Sequence, residues 1–184
     1  MKRISFAILL IMVIVISVAC TNQNVSNNIG NGNITNTNTE DKILKFKKEV
    51  GSKLTEDNGI KIMEYTTVLL NEYYLYKNEN EKFGEDLSWM GNDIRTFSAN
   101  NEIEQAIIED LKSCMQTLLN LKINTLKLEK MEITAKLNLG DISQEDMENM
   151  KKIIKANEAA VSKLLNQVLD KYFESNNVKK YFGL

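Results

Sequence analysis

The fold is decided by residues 101–143, NEIEQAIIEDLKSCMQTLLNLKINTLKLEKMEITAKLNLGDIS. Leu111, Cys114, Leu118, Leu121, Thr125, Leu128, Ala135 and Leu139 recur there at near-heptad spacing, with Glu132 as the one exception. A flanking seam holds Ile108, Met115, Leu119, Leu126, Ile133 and Leu137. Steps of three, four and seven place each set on one side of an α-helix. The pattern predicts a helix over about 101–138, roughly 57 Å long at 1.5 Å per residue. Asn101-Glu102-Ile103-Glu104 has the form of a capping box at its start. Gly140 ends it, and Asp141 or Ser143 is placed to cap the next helix.

Working outward, a further helix is expected from about Ser143 to Glu174. Its seam is Met147, Met150, Ile154, Asn157, Val161, Leu164, Val168 and Tyr172. The joint LGDIS is too short for anything but an antiparallel pair. Upstream, Ile43, Phe46, Val50 and Leu54 predict a first long helix, ended by the turn signal Asn58-Gly59. Ile62, Tyr65, Leu69, Tyr73 and Tyr76 predict a second, widened by Met63, Leu70 and Tyr74 and stopped near Gly84. Leu87, Met90, Ile94 and Phe97 mark a shorter one that includes Trp89. No stretch shows the period-two alternation of a strand. The expected fold is all-α: an elongated antiparallel bundle of four long helices plus one short helix, over residues 40–184. The wide apolar faces favour a bundle within one chain; a coiled-coil homodimer is the alternative.

The 184-residue chain has no proline and only eight glycines, which agrees with long helices. It has no histidine, hence no histidine base, metal ligand or catalytic triad. No P-loop, dinucleotide fingerprint, nucleophile elbow or EF-hand spacing occurs. The reading is therefore of a non-enzyme without metal or cofactor. Net charge is −2, and without Lys2 and Arg3 it is 21 basic against 25 acidic residues, −4. That gives no footprint for nucleic acid.

The amino terminus has a separate logic. Met1-Lys2-Arg3 is basic, Phe6 to Ile16 is apolar without a break, and Ser17-Val18-Ala19 precedes Cys20. This is the layout of an export signal over 1–19. The alternative is a retained membrane helix, but Ile4 to Ala19 falls short of the roughly 20 residues that span hydrocarbon. Thr21 to Thr39 carries no charge and eight asparagines. Such a segment cannot bury enough surface to offset its ordering entropy, so 20–39 reads as a flexible tether.

Ser17-Val18-Ala19-Cys20 resembles a bacterial lipobox, with Ser17 departing from the usual aliphatic leading residue. The resemblance implies that Cys20 becomes the first mature residue, carrying diacylglycerol and an amide-linked acyl chain. Several chains anchor a protein where one does not, at about 0.8 kcal/mol per buried methylene. Cys114 is then left without a partner and expected in the core; a Cys20–Cys114 disulfide is the alternative. Lipobox, Asn-rich tether and Lys/Asn/Ile-rich helical body together are similar to the small helical surface lipoproteins of spirochaetes. In size and layout the chain is similar to those of relapsing-fever spirochaetes that bind the complement regulator factor H. That resemblance implies an outer-membrane, surface-exposed protein serving complement evasion. Other readings are an adhesin for fibronectin, plasminogen or a matrix glycan, or a periplasm-facing structural lipoprotein.

Two acidic clusters stand out: Glu79, Glu81, Glu85 and Asp86 between helices, and Asp141, Glu145, Asp146 and Glu148 at a helix start. The first, with Tyr74 and Tyr76, is the candidate contact surface for a basic host protein. The plain alternative is a solvated face above ordinary core tyrosines. Tyr181 and Phe182 either close the end of the bundle or anchor a partner.

Overall fold

The computed structural model describes residues 44–184, apart from Ser175. The expected export signal, Cys20, the tether and residues 40–43 lie outside the described residues. Within them the chain is helical: α1 (Lys48–Gly51), α2 (Glu56–Lys77), α3 (Glu85–Thr96), α4 (Glu102–Lys136), α5 (Gln144–Tyr172) and α6 (Asn176–Phe182). No strand occurs among the described residues, only an isolated antiparallel bridge between Phe46 and Phe173. The all-α expectation holds.

The α4–α5 hairpin is the frame. Asn101 caps α4 by accepting from the N–H groups of Ile103 and Glu104. Of the two candidates, Ser143 caps α5: its Oγ accepts from Asp146 N–H at 3.0 Å. Between them Asn138 takes a left-handed φ of 51°, which asparagine tolerates better than most residues. The expected seams are packing faces only in the half of the hairpin away from its joint; towards the joint, Leu139 of the main seam is exposed and no seam residue is buried. Leu111, Cys114, Leu118 and Leu121 of α4 are buried, as are Val161, Val168 and Tyr172 of α5. Asp110 closes the hairpin's open end, accepting from Tyr172 Oη at 2.6 Å and Lys171 Nζ at 3.0 Å.

The long first helix does not form; α1 is a single turn. The backbone before it is instead committed to the end of α5. Lys47 N–H donates to Tyr172 C=O at 3.0 Å and Glu174 N–H to Lys45 C=O at 2.8 Å. The Phe46 and Phe173 rings stack with centroids 4.7 Å apart. Long-range pairing thus satisfies groups that a helix would have paired locally, and removes one of four long helices. Asn58-Gly59 is a second correction: it lies in the first turn of α2 rather than in a loop. Asn58 Nδ2 is recruited by Glu104 Oε2 at 2.7 Å and Ser98 C=O at 3.1 Å. That tertiary contact offsets the helix cost of a single glycine, about 1 kcal/mol.

Two buried glutamates tie the helices together at their starts. Glu104 accepts from Thr55 N–H (2.8 Å), Thr55 Oγ1 (3.1 Å), Asn58 Nδ2 (2.7 Å) and Asn100 N–H (2.7 Å). Burial alone would raise its pKa, but these donors outweigh it and hold the carboxyl below the usual range. Glu72 accepts from the N–H groups of Gly84 and Asp86 at the start of α3. Here burial wins over those two bonds, and the carboxyl is raised. Neither Thr55 nor Gly84 caps its own helix with a side chain. The orphan donors at both starts are met by glutamates from other helices.

Cys114 is a free, fully buried thiol, and burial pushes its pKa up to about 12. It behaves as a small core residue, as expected. The tail docks on α2 and α5: the Tyr181 and Phe182 rings lie 6.0 and 6.1 Å from Tyr74 of α2, and Lys179 pairs with Asp170 of α5 at 2.5 Å. Of the two readings of the tail, closing the bundle is the one observed.

Candidate functional site

The first acidic cluster lies on the segment joining α2 to α3 and on the first turn of α3. Local geometry fixes that segment. Glu79 takes a left-handed φ of 50°, and Asn80 N–H returns to Leu75 C=O at 3.0 Å. Phe83 plugs the segment into the core; its ring lies 5.2 Å from Tyr76, and Lys122 Nζ stands 5.3 Å from its centroid. Gly84 follows at φ 89°, with Glu72 holding its N–H from below. A pinned backbone thus presents Glu79, Glu81, Glu85 and Asp86, all exposed.

The two candidate tyrosines do not join them as one surface. Tyr76 is half-buried, with its ring on Phe83 and its Oη donating to Glu158 at 3.3 Å. Burial first, then the Glu158 charge, pushes its pKa up to about 12. It supports the segment from beneath. Tyr74 is exposed, but its ring faces the docked tail rather than the acidic residues.

Sequence reading placed Trp89 in a helix without giving it a role. The structure leaves it 46% exposed on α3. It stands four residues after Glu85 and three after Asp86, so the three share one helical face. The missed signal was this spacing, which a core-seeking reading of Leu87, Met90 and Ile94 passed over. An exposed indole beside carboxylates is the composition of an interface anchor, since tryptophan and tyrosine dominate binding hot spots.

No known protein family matches this chain, and no curated protein or solved structure matches it either.

The second cluster, Asp141, Glu145, Asp146 and Glu148, is exposed at the hairpin tip. Two of its charges are engaged locally: Ser143 Oγ donates to Asp146 at 2.6 Å and Lys151 pairs with Glu148 at 3.1 Å. Among the described residues no group of three or more Cys, Asp or Glu side chains could hold a metal ion. Nor is any described helix long and apolar enough to cross a membrane. An open groove of about 410 Å³ runs beside Asn100, Asn101, Gln105 and Glu109. It brings together no nucleophile with a base.

Proposed function

We propose that this chain is a lipid-anchored surface protein that binds basic surfaces of a host protein, the complement regulator factor H, for complement evasion. Cys20 carries the anchor, 20–39 holds the body clear of the membrane, and the helical unit presents the contact surface. The observation that carries the reading is the face of α3 with its preceding loop. Exposed Trp89 shares a helical face with exposed Glu85 and Asp86, and the preceding loop carries exposed Glu79 and Glu81, on a backbone fixed from beneath by Glu72 and Phe83. Carboxylates steer a basic partner, and a desolvated tryptophan supplies the short-range affinity.

The test is binding of purified factor H to the lipidated chain. Trp89→Ala should weaken affinity by about 2 kcal/mol, the hot-spot scale. Glu85→Lys with Asp86→Lys should slow association and flatten its salt dependence. Unchanged affinity in both variants removes this face from the proposal. Absence of binding by the native chain removes factor H as the partner. Protease treatment of intact cells reports display separately, because a periplasm-facing protein survives it.

A further inference from the structure

The flanking seam of α4 changes its surroundings halfway along. Ile108 and Met115 are buried, and Met115 packs beside Gly91 of α3. Farther along, Gly84 at the start of α3 lies against the side chain of Lys122. The helix that covers this face therefore begins level with Lys122, and beyond that point the seam runs on uncovered. Ile123 and Leu126 are each 48% exposed, Ile133 and Leu137 each 58%, and Leu139 at the tip 73%. No residue from 122 to 160 is buried, and beyond the contact of Tyr76 and Lys77 with Glu158 this half of the hairpin is a two-helix arm. Successive turns of about 100° put Ile123, Leu126, Ile133 and Leu137 on the side of α4 opposite the α5 seam. With Leu119 and Lys130 they step 4, 3, 4, 3, 4, an unbroken heptad line.

We propose that this stripe pairs antiparallel with the same stripe of a second copy of this chain. Three features select that occupant. The first is charge. Stacking Leu126 on Leu137 of the second copy, and Lys130 on Ile133, brings Glu129 beside Lys136 of the other copy, twice by symmetry. The same register sets Lys127 beside an uncharged Thr134. A parallel in-register pair would instead oppose Lys130 to Lys130 and Lys122 to Lys127. The second is length. In the antiparallel register the tip of one arm reaches Ile123 of the other, where α3 begins, so the stripe's length is the arm's length. Leu139 then covers Ile123, and Asp141 meets Lys122. The third is area. Five half-exposed apolar residues on each copy, with their neighbours, amount to on the order of 1,200 Å², the lower edge of a stable interface. The opposing term is the approach of the acidic tip to the 79–86 segment, which salt screens beyond about 8 Å.

The pairing is tested by disulfide trapping of the full chain in intact bacterial cells. The unsubstituted chain, whose Cys114 is buried, sets the background. Glu129→Cys with Lys136→Cys should give a covalent dimer on mild oxidation. The two positions cannot join within one chain, being about 10 Å apart along the helix, beyond disulfide reach. Each single variant should yield at least about tenfold less, as should the double variant carrying Leu126→Lys and Ile133→Lys. Those lysines replace exposed residues, and unchanged helicity and protease resistance of the variant confirm its fold. A strong dimer from either single variant, a cross-link to a different protein, or no dimer from the pair would each overturn the proposal.

Discussion

Replacing Glu104 by glutamine tests the central claim about how the helices are joined. The carboxylate receives four hydrogen bonds, shared between Oε1 (both from Thr55) and Oε2 (Asn58 and Asn100). Glutamine keeps one acceptor oxygen and turns an NH₂ towards the other two donors. Burying an ion costs several kcal/mol, and bonds to a charged group return roughly 1.5–3 kcal/mol each. The lowered pKa says that the bonds prevail, so the neutral variant must be less stable. One unpaired backbone N–H and three weakened bonds give a loss of about 2–4 kcal/mol at neutral pH. At roughly 3 °C per kcal/mol for a domain of this size, the melting temperature falls by about 6–12 °C. Urea unfolding followed by circular dichroism measures the stability loss, and thermal melting measures the shift. The pH dependence is the sharper test. A depressed folded pKa contributes stability that is present above the ordinary value of 4.5 and is lost as pH falls through the folded value. The penalty of Glu104→Gln should therefore be constant near neutrality and shrink in acid. A penalty under about 0.5 kcal/mol at pH 7, or one that grows on acidification, would refute the reasoning.

Glu72→Gln should show the opposite slope: its raised pKa contributes stability below 4.5 that is lost as pH rises through the folded value, so the variant's penalty is largest in acid and narrows towards neutrality. Gly84→Ala should cost about 1–2 kcal/mol through its positive φ, because the Lys122 stem that a Cβ would touch is flexible and can yield; urea midpoints report it. Phe173→Ala should cost about 3–5 kcal/mol in the same assay, as a buried ring is lost and Phe46 is left without its stack. Cys114 should resist thiol reagents at pH 8 in the folded protein and react fully in denaturant, since burial pushes its pKa up to about 12; rapid labelling of native protein would contradict the packing.

The α4–α5 hairpin was legible because its signals are local and redundant. Two heptad seams, the Asn101 cap and the short joint all point the same way, and no distant residue contradicts them. The first helix was misread for the complementary reason. Ile43, Phe46, Val50 and Leu54 have helical spacing, yet Phe46 is held by Phe173, a residue 127 positions away, and the backbone follows it. Asn58-Gly59 failed likewise: its turn propensity yields to Glu104, which reaches it from the next helix but one. At the candidate site, the acidic residues were readable as composition, whereas the roles of Tyr74, Tyr76 and Trp89 depended on which helix face met the core.

By itself the sequence determined the helical class, the hairpin, the burial of Cys114 and the absence of histidine chemistry. Periodicity, capping and composition act within a few turns of chain, so they can be read from it. Only the tertiary structure decided where α4 stops being covered. The residues of its flanking seam are equally apolar along its length. Whether they are core or surface depends on where α3 begins beside Lys122. It also decided that two buried glutamates have oppositely shifted carboxyls. The four donors around Glu104 and the two backbone N–H groups around Glu72 are gathered by folding, and the balance between burial and those donors sets the sign.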